Sequence, residues 1–174
     1  MIALYIILGL IALILIVAAA VGTGWSYEKS INIQAPPGKV WGNIDSLSAI
    51  NKWNPWVGRD PHIKLEYSGA DGTPGAKFSW ESDNKNVGAG SQTITKVTPG
   101  SELASRIDFL RPFKGTGQAY IRVKEDSGAT TATWGIISSS PYPMNILKVF
   151  GVIEKNMNKD FTEGLNKLKE ICEH

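Results

Sequence analysis

A chain of 174 residues and 18.9 kDa has enough side chains for one domain with a sizeable core and too few for two comfortable ones. At 43% hydrophobic and 20% charged it is not a disordered composition, and a formal charge of +2 without any block of like charge gives no ground for a nucleic-acid partner. One cysteine, Cys172, and two histidines, His62 and His174, supply no disulfide, no cysteine cluster and no histidine metal site, so no metal or cofactor is expected.

No charged side chain occurs from Met1 to Tyr27. Within that stretch Ile2 to Gly22 is nearly continuous Ile, Leu, Val, Ala and Gly. At a rise of about 1.5 Å per residue it is long enough, at roughly 31 Å, to cross a hydrocarbon core. Its Leu, Ile and Val side chains favour insertion by roughly 4 to 8 kcal/mol. Tyr5 and Trp25 stand near the two ends, where amphipathic rings prefer the headgroup level. The expectation is a single-pass membrane anchor over residues 1–26, with residues 2–22 in the bilayer. The competing expectation is a cleaved leader. Ala18-Ala19-Ala20 fits a cleavage site, but the basic residues that open a leader are missing and the apolar run is too long. Lys29 and Lys39 downstream tip the positive-inside rule slightly towards a cytoplasmic domain. The Ala18-xxx-Gly22 spacing would let two such helices approach, yet it leaves the oligomeric state open.

Residues 27–174 read as one globular domain. Tyr27 to Ala35 alternates between the two faces of a strand. Pro36-Pro37-Gly38 ends it, and Pro37 suits a helix start. Val40, Trp41 and Ile44 recur at helical spacing, and Leu47 to Lys52 makes a second helical turn, broken at Trp53-Asn54-Pro55-Trp56. Short strands follow over His62–Tyr67, Ala76–Glu81, Gly88–Val97, Leu103–Phe109, Lys114–Lys124 and Thr130–Ile137, with Ser127-Gly128 as a hairpin turn. From Met144 the apolar residues step by three and four through Ile146, Phe150, Ile153, Met157, Phe161 and Leu165 to Ile171, which predicts one long amphipathic helix. Gly151 and Gly164 are its soft spots, where a bend or a close approach is expected. An antiparallel sheet of this size needs a cover for its inner face, and only this helix is long enough to provide it.

Ser30-Ile31-Asn32-Ile33-Gln34-Ala35-Pro36-Pro37-Gly38-Lys39-Val40-Trp41, Trp53-Asn54-Pro55-Trp56, Gly88-Ala89-Gly90-Ser91, Pro112-Phe113-Lys114-Gly115 and Thr133-Trp134, in this order before a long terminal helix, resemble the START-like helix-grip superfamily, in its polyketide cyclase/dehydrase-like (SRPBCC) branch. The resemblance covers about Tyr27 to Glu173. It implies an α+β fold, a curved antiparallel sheet of six to seven strands around a C-terminal helix, with two short helices after strand one. It also implies a cavity for a hydrophobic or amphipathic small molecule, and an N-terminal membrane segment is a recurrent arrangement in this branch. The superfamily spans carriers, receptors and cyclases, so the likeness leaves the chemistry open.

In such a fold the inward faces carry Phe78, Trp80, Ile94, Ile107, Phe109, Ile121 and Trp134 from the strands and Phe150, Ile153 and Met157 from the helix. Plain core packing is the alternative for any one of them. Trp53 and Trp56 belong to a loop over the mouth, where they either gate entry or cap the core. These twelve are the expected ligand-binding residues. No catalytic residue is expected: Glu81, Arg106 and Asp108 alternate with apolar neighbours and turn outward unless a bulge reverses them. Gln92, Thr133 and Ser138 are the isolated polar groups that remain. The leading expectation is a membrane-anchored binder of a hydrophobic or lipid-like molecule. Behind it stand a polyketide cyclase/dehydratase-like enzyme and a co-chaperone-like interaction module. Convergent polar groups inside the cavity would favour the enzyme, and a filled interior with an exposed apolar patch would favour the module.

Overall fold

The structure, a computed structural model, describes the whole chain from Met1 to His174. Helix α1, Ile2–Ala20, is followed by strand β1, Gly24–Ile33. Three short helices come next: α2, Pro37–Trp41; α3, Leu47–Asn51; and α4, Pro55–Gly58. Six strands then run as a meander: β2, Lys64–Ser68; β3, Lys77–Glu81; β4, Ala89–Thr98; β5, Glu102–Arg111; β6, Gly115–Asp126; and β7, Ala129–Ser139. The chain ends with α5, Ile146–Val149, and α6, Val152–Glu173. The seven strands form one antiparallel sheet in the order β1-β7-β6-β5-β4-β3-β2. The first strand thus joins the last, and α6 lies across the inner face. This is the α+β helix-grip architecture.

The local chemistry explains most boundaries. Alternation runs through β1 and begins earlier than Tyr27, because Trp25 and Tyr27 are half-buried while Ser26 and Glu28 are exposed. Ser127 and Gly128 both take positive φ, 51° and 87°, the geometry of a two-residue hairpin turn whose twist matches the flanking strands. The break at Asn54-Pro55 starts a third short helix, in addition to the two expected. Pro55 suits the first helical position, and the Asn54 side chain accepts the Trp56 N–H at 3.0 Å.

Helix α3 is capped twice. The Ser46 hydroxyl accepts the Ala49 N–H at 3.3 Å, and the Asp71 carboxylate accepts those of Leu47 and Ser48 at 2.8 and 3.0 Å. Partial burial pushes the Asp71 carboxyl upward, but hydrogen bonds from Ser48, Leu47 and Gly72 outweigh it and hold the group below its usual range. A depressed carboxyl contributes its stability above the ordinary value of about 4 and loses it as pH falls through the lower folded value. Asp71→Ala is therefore expected to cost about 1 kcal/mol at neutral pH. In urea unfolding the gap to the wild type should shrink on going well below pH 4; an equal gap at both pH values would reject the charged cap.

The terminal helix departs from the expected single run starting at Met144. Gly151 adopts φ 66°, the left-handed region open to glycine, and divides α5 from α6. The apolar spacing carries straight through this break, so periodicity does not reveal it. Gly164 has the opposite role. A Cβ there would stand 2.8 Å from the Trp134 ring and 3.1 Å from Pro55, so its missing side chain lets α6 press onto the sheet and onto α4.

Helix α1 packs on the domain only at its C-terminal end, where Ala18 is its single buried residue. It is the one helix long and apolar enough to cross a membrane.

Candidate functional site

A cavity of about 430 Å³ lies between the sheet and the N-terminal half of α6, within the size range of small-molecule sites. Phe78, Trp80, Ile107 and Phe109 from β3 and β5 form one wall. Phe78 and Trp80 stack at 5.4 Å, Phe109 meets Trp80 edge-on at 6.3 Å, and the Trp80 indole donates to the Val87 carbonyl at 3.3 Å. Ile121 and Trp134 line the sheet floor, and Ile153, Met157 and Trp56 close the space from the helical side. Trp134 is locked in place by Phe161, stacked at 4.2 Å, and by Trp53 and Trp56, both edge-on. Aromatic pairs of this kind favour one arrangement of rings and so keep the cavity wall in shape.

Trp56 is held from behind. The Arg59 guanidinium lies 5.8 Å from its ring and pairs with Asp160 and Glu163 of α6. A hydrogen bond from Lys167, and then one from Arg59, hold the Glu163 carboxyl below its usual range. This brace fastens α4 to α6 on the far side of the tryptophan.

Three of the twelve expected residues lie outside the cavity lining. Trp53 is fully buried in the core and its indole donates to the Asn43 carbonyl at 2.8 Å, so it anchors α3 rather than gating a mouth. Ile94 faces inward as expected but is enclosed in the core cluster that holds Leu47 and Ile50. Phe150 is 66% exposed, because the left-handed Gly151 ends the helical face that would have turned it inward. Among the isolated polar groups, Gln92 and Ser138 line the cavity, whereas Thr133 sits on the outer face, 2.7 Å from Ser30.

Other lining residues went unassigned in the sequence. Ala119, Ile136 and Phe161 carry the same periodic signal as their neighbours, and Leu103 begins the apolar face of β5. Trp25, placed by its sequence position at a membrane interface, is part of β1; its indole donates to the Ser140 hydroxyl at 3.1 Å at the rim. The loop residues Pro112, Phe113 and Met144 carry no periodic signal at all.

The inner polar groups of the lining are few, and three of them have partners within the chain. Gln92 donates to the Ser105 hydroxyl at 2.8 Å, and Ser138 donates to the Thr116 carbonyl at 2.8 Å. The Asn54 carbonyl oxygen is already the cap of α4. No carboxylate, histidine or cysteine is among the lining residues. Arg106 and Asp108 pair with each other at 2.8 Å on the solvent face, an exposed contact of small energetic weight. A register shift does occur in β5, but it falls after Phe109 and so leaves both charges outside. Beyond it Arg111 reaches the rim, bonded to Glu81 at 3.2 Å, beside the exposed Lys114. Cys172 is buried in the core, and that burial pushes its thiol upward, away from reactivity.

A seven-stranded sheet gripping a terminal helix over an apolar cavity defines the START-like class. The chain matches the family described as "Polyketide cyclase / dehydrase and lipid transport" over residues 24–173, and it belongs to that family. No curated relative matches it by sequence. Among solved structures it is similar to the di-domain ARO/CYC StfQ from the steffimycin biosynthetic pathway, with TM-score 0.64 and 10% identity over 87% of this chain and 51% of that one. It is equally similar to the Mll3558 protein of Rhizobium loti, with TM-score 0.64 and 10% identity over 85% and 96% of the two chains. A Thermobifida fusca protein is 22% identical, with TM-score 0.60 over 83% and 91%. At these identities the likeness speaks for the fold.

Proposed function

We propose that this protein is a membrane-anchored binder of a hydrophobic or lipid-like small molecule, held between the sheet and α6. The observation that carries the reading is the composition of the cavity: 22 of its 34 lining residues are hydrophobic, and the inner polar groups Gln92, Ser105 and Ser138 already have hydrogen-bond partners within the chain. Such a wall gains by burying apolar ligand surface, at about 25 cal/mol per Å². Proton transfer needs an acid or base within hydrogen-bonding reach of the substrate, and the lining holds no carboxylate, histidine or cysteine, while its one lysine, Lys114, is exposed at the rim. The family description includes lipid transport, which agrees with a carrier. Anchoring rests on α1, whose exposed apolar surface has no cover within the chain.

A cyclase- or dehydratase-like enzyme is the second reading. Family membership supports it, and Arg111 and Lys114 at the rim are the cations able to hold a developing oxyanion.

Native mass spectrometry of the detergent-extracted full chain separates the two. The binder is expected to carry an apolar adduct, and emptied protein should take up a fatty acyl probe and return it unchanged. Conversion of a poly-β-carbonyl compound to a cyclised, dehydrated product would put the enzyme first. Failure to bind any apolar probe would remove the binder.

A further inference from the structure

The cavity mouth, the apolar rim around it and the end of α1 lie together at one end of the sheet. We infer that this end of the domain rests on the surface of the bilayer that α1 crosses, so that ligand moves between lipid and cavity directly. The inference rests on the proposed anchor and deepens it, because it assigns a second, separate membrane contact.

The first support is the attachment of α1. The carbonyls of a helix C-terminus have no partners within the helix. Here the Asn145 side-chain amide donates to the carbonyls of Ala18 and Val21, at 2.7 and 2.8 Å. Lys148 Nζ donates to those of Gly22 and Gly24, at 2.8 and 3.0 Å. The Ser140 N–H adds a bond to the Thr23 carbonyl at 3.0 Å. Only Val21 to Thr23 separate α1 from β1, a span of at most about 10 Å even when fully extended. The domain therefore cannot stand off from the membrane on a tether.

The second support is sheet register. Gly24 at the start of β1 pairs with Ser139, Ser138 pairs with Gly117, Phe109 with Gly115, and Ala89 with both Arg111 and Glu81. The β3–β4 and β5–β6 loops thus come to the same end as the close of α1. These loops supply Val87, Pro112 and Phe113 to the cavity, and the segment after β7 supplies Pro141 and Met144.

The third support is exposure. Leu110, Phe113, Tyr142, Val149 and Phe150 are 56, 65, 53, 52 and 66% exposed, all in or next to the segments named above. At the other end, the turns at Thr98–Ser101 and Asp126–Ala129 expose no large apolar side chain, and only Tyr67 and Ile171 stand there at 47 and 40% exposure, not grouped into a rim. An apolar rim concentrated at the end that carries α1 suits the headgroup–acyl boundary, where Phe and Tyr partition well.

Nitroxide labels on the full chain in phosphatidylcholine vesicles test this, at Phe113→Cys and Phe150→Cys, with Ile11→Cys in α1 and Asp126→Cys at the far hairpin as references. Cys172 remains in place, buried. Collisions with oxygen are expected to exceed those with a water-soluble nickel chelate at 11, 113 and 150, and the reverse at 126. Labels at 113 and 150 that behave like 126, with 11 in lipid, overturn the docking and leave the anchor standing. Labels at 113 and 150 shielded from both reagents place a protein there, a second copy or a partner, and also overturn it. A label at 11 in water rejects the anchor itself and the docking with it. Phe150→Glu should slow uptake of an acyl probe from the same vesicle severalfold while leaving its affinity in detergent unchanged; unaltered uptake would count against the direct route.

Discussion

Met157→Trp is expected to abolish binding of a fatty acyl probe while the domain stays folded. Met157 projects from α6 into the cavity, opposite a sheet floor that includes Ala119, Ile121 and Trp134. The new indole would occupy space that ligand methylenes otherwise fill. Excluding about four methylenes at about 0.8 kcal/mol each removes about 3 kcal/mol, on the order of a hundredfold in affinity. Overpacking usually strains a core because no space exists for the added atoms. Here the space exists, so thermal unfolding should not move to lower temperature. Titration of the probe against tryptophan emission reads the loss, since Trp56, Trp80 and Trp134 all line the site. A folded Met157→Trp protein that binds with unchanged affinity would move the ligand site elsewhere on the molecule.

Which side chains line this cavity was only partly legible in the sequence, for a physical reason. Alternation along a strand says which face a residue occupies. It does not say whether another side chain fills the space in front of it. Ile94 and Ile107 look equivalent by period, yet one is enclosed in core and the other lines the cavity. The same limit applies to Trp53 and Trp56. Both pack edge-on against Trp134, and only the turn of α4, begun by the Asn54 cap, brings one to the cavity and leaves the other behind it. Phe150 shows a different limit. Its spacing to Ile153 and Met157 is helical, and one left-handed glycine removes it from their face. The outward turn of Arg106 and Asp108, by contrast, was readable from alternation, because the register shift in β5 falls beyond them. The long apolar helix α1 was equally plain, since an uncharged run of this length is a one-dimensional signal that needs no packing information.

Removing residues 1–23 is expected to convert a membrane protein into a soluble, folded one. The Leu, Ile and Val side chains of α1 favour insertion by roughly 4 to 8 kcal/mol, three to six orders of magnitude in partition. Full-length protein should therefore stay with membranes through high-salt and alkaline washes, and the shortened chain should appear in the supernatant. The domain should tolerate the loss because α1 gives it little: Ala18 is the only α1 residue buried against it. Asn145 is the group at risk. It is buried under the end of α1, its amide serves Ala18 and Val21, and its side-chain oxygen has no partner. Once α1 is gone, water reaches both ends of that amide, so the lost bonds are replaced rather than left open. The net change should then stay within about 1 kcal/mol. Asn145→Leu in the full chain should be worse than the deletion, because it strands the carbonyls of Ala18 and Val21 under the domain, at about 1 to 3 kcal/mol. Urea unfolding of the soluble fragment and flotation of both forms measure these effects. Release of the intact chain by salt alone would reject the anchor, and a mature N-terminus near Val21 or Gly22 would identify the run as a cleaved leader.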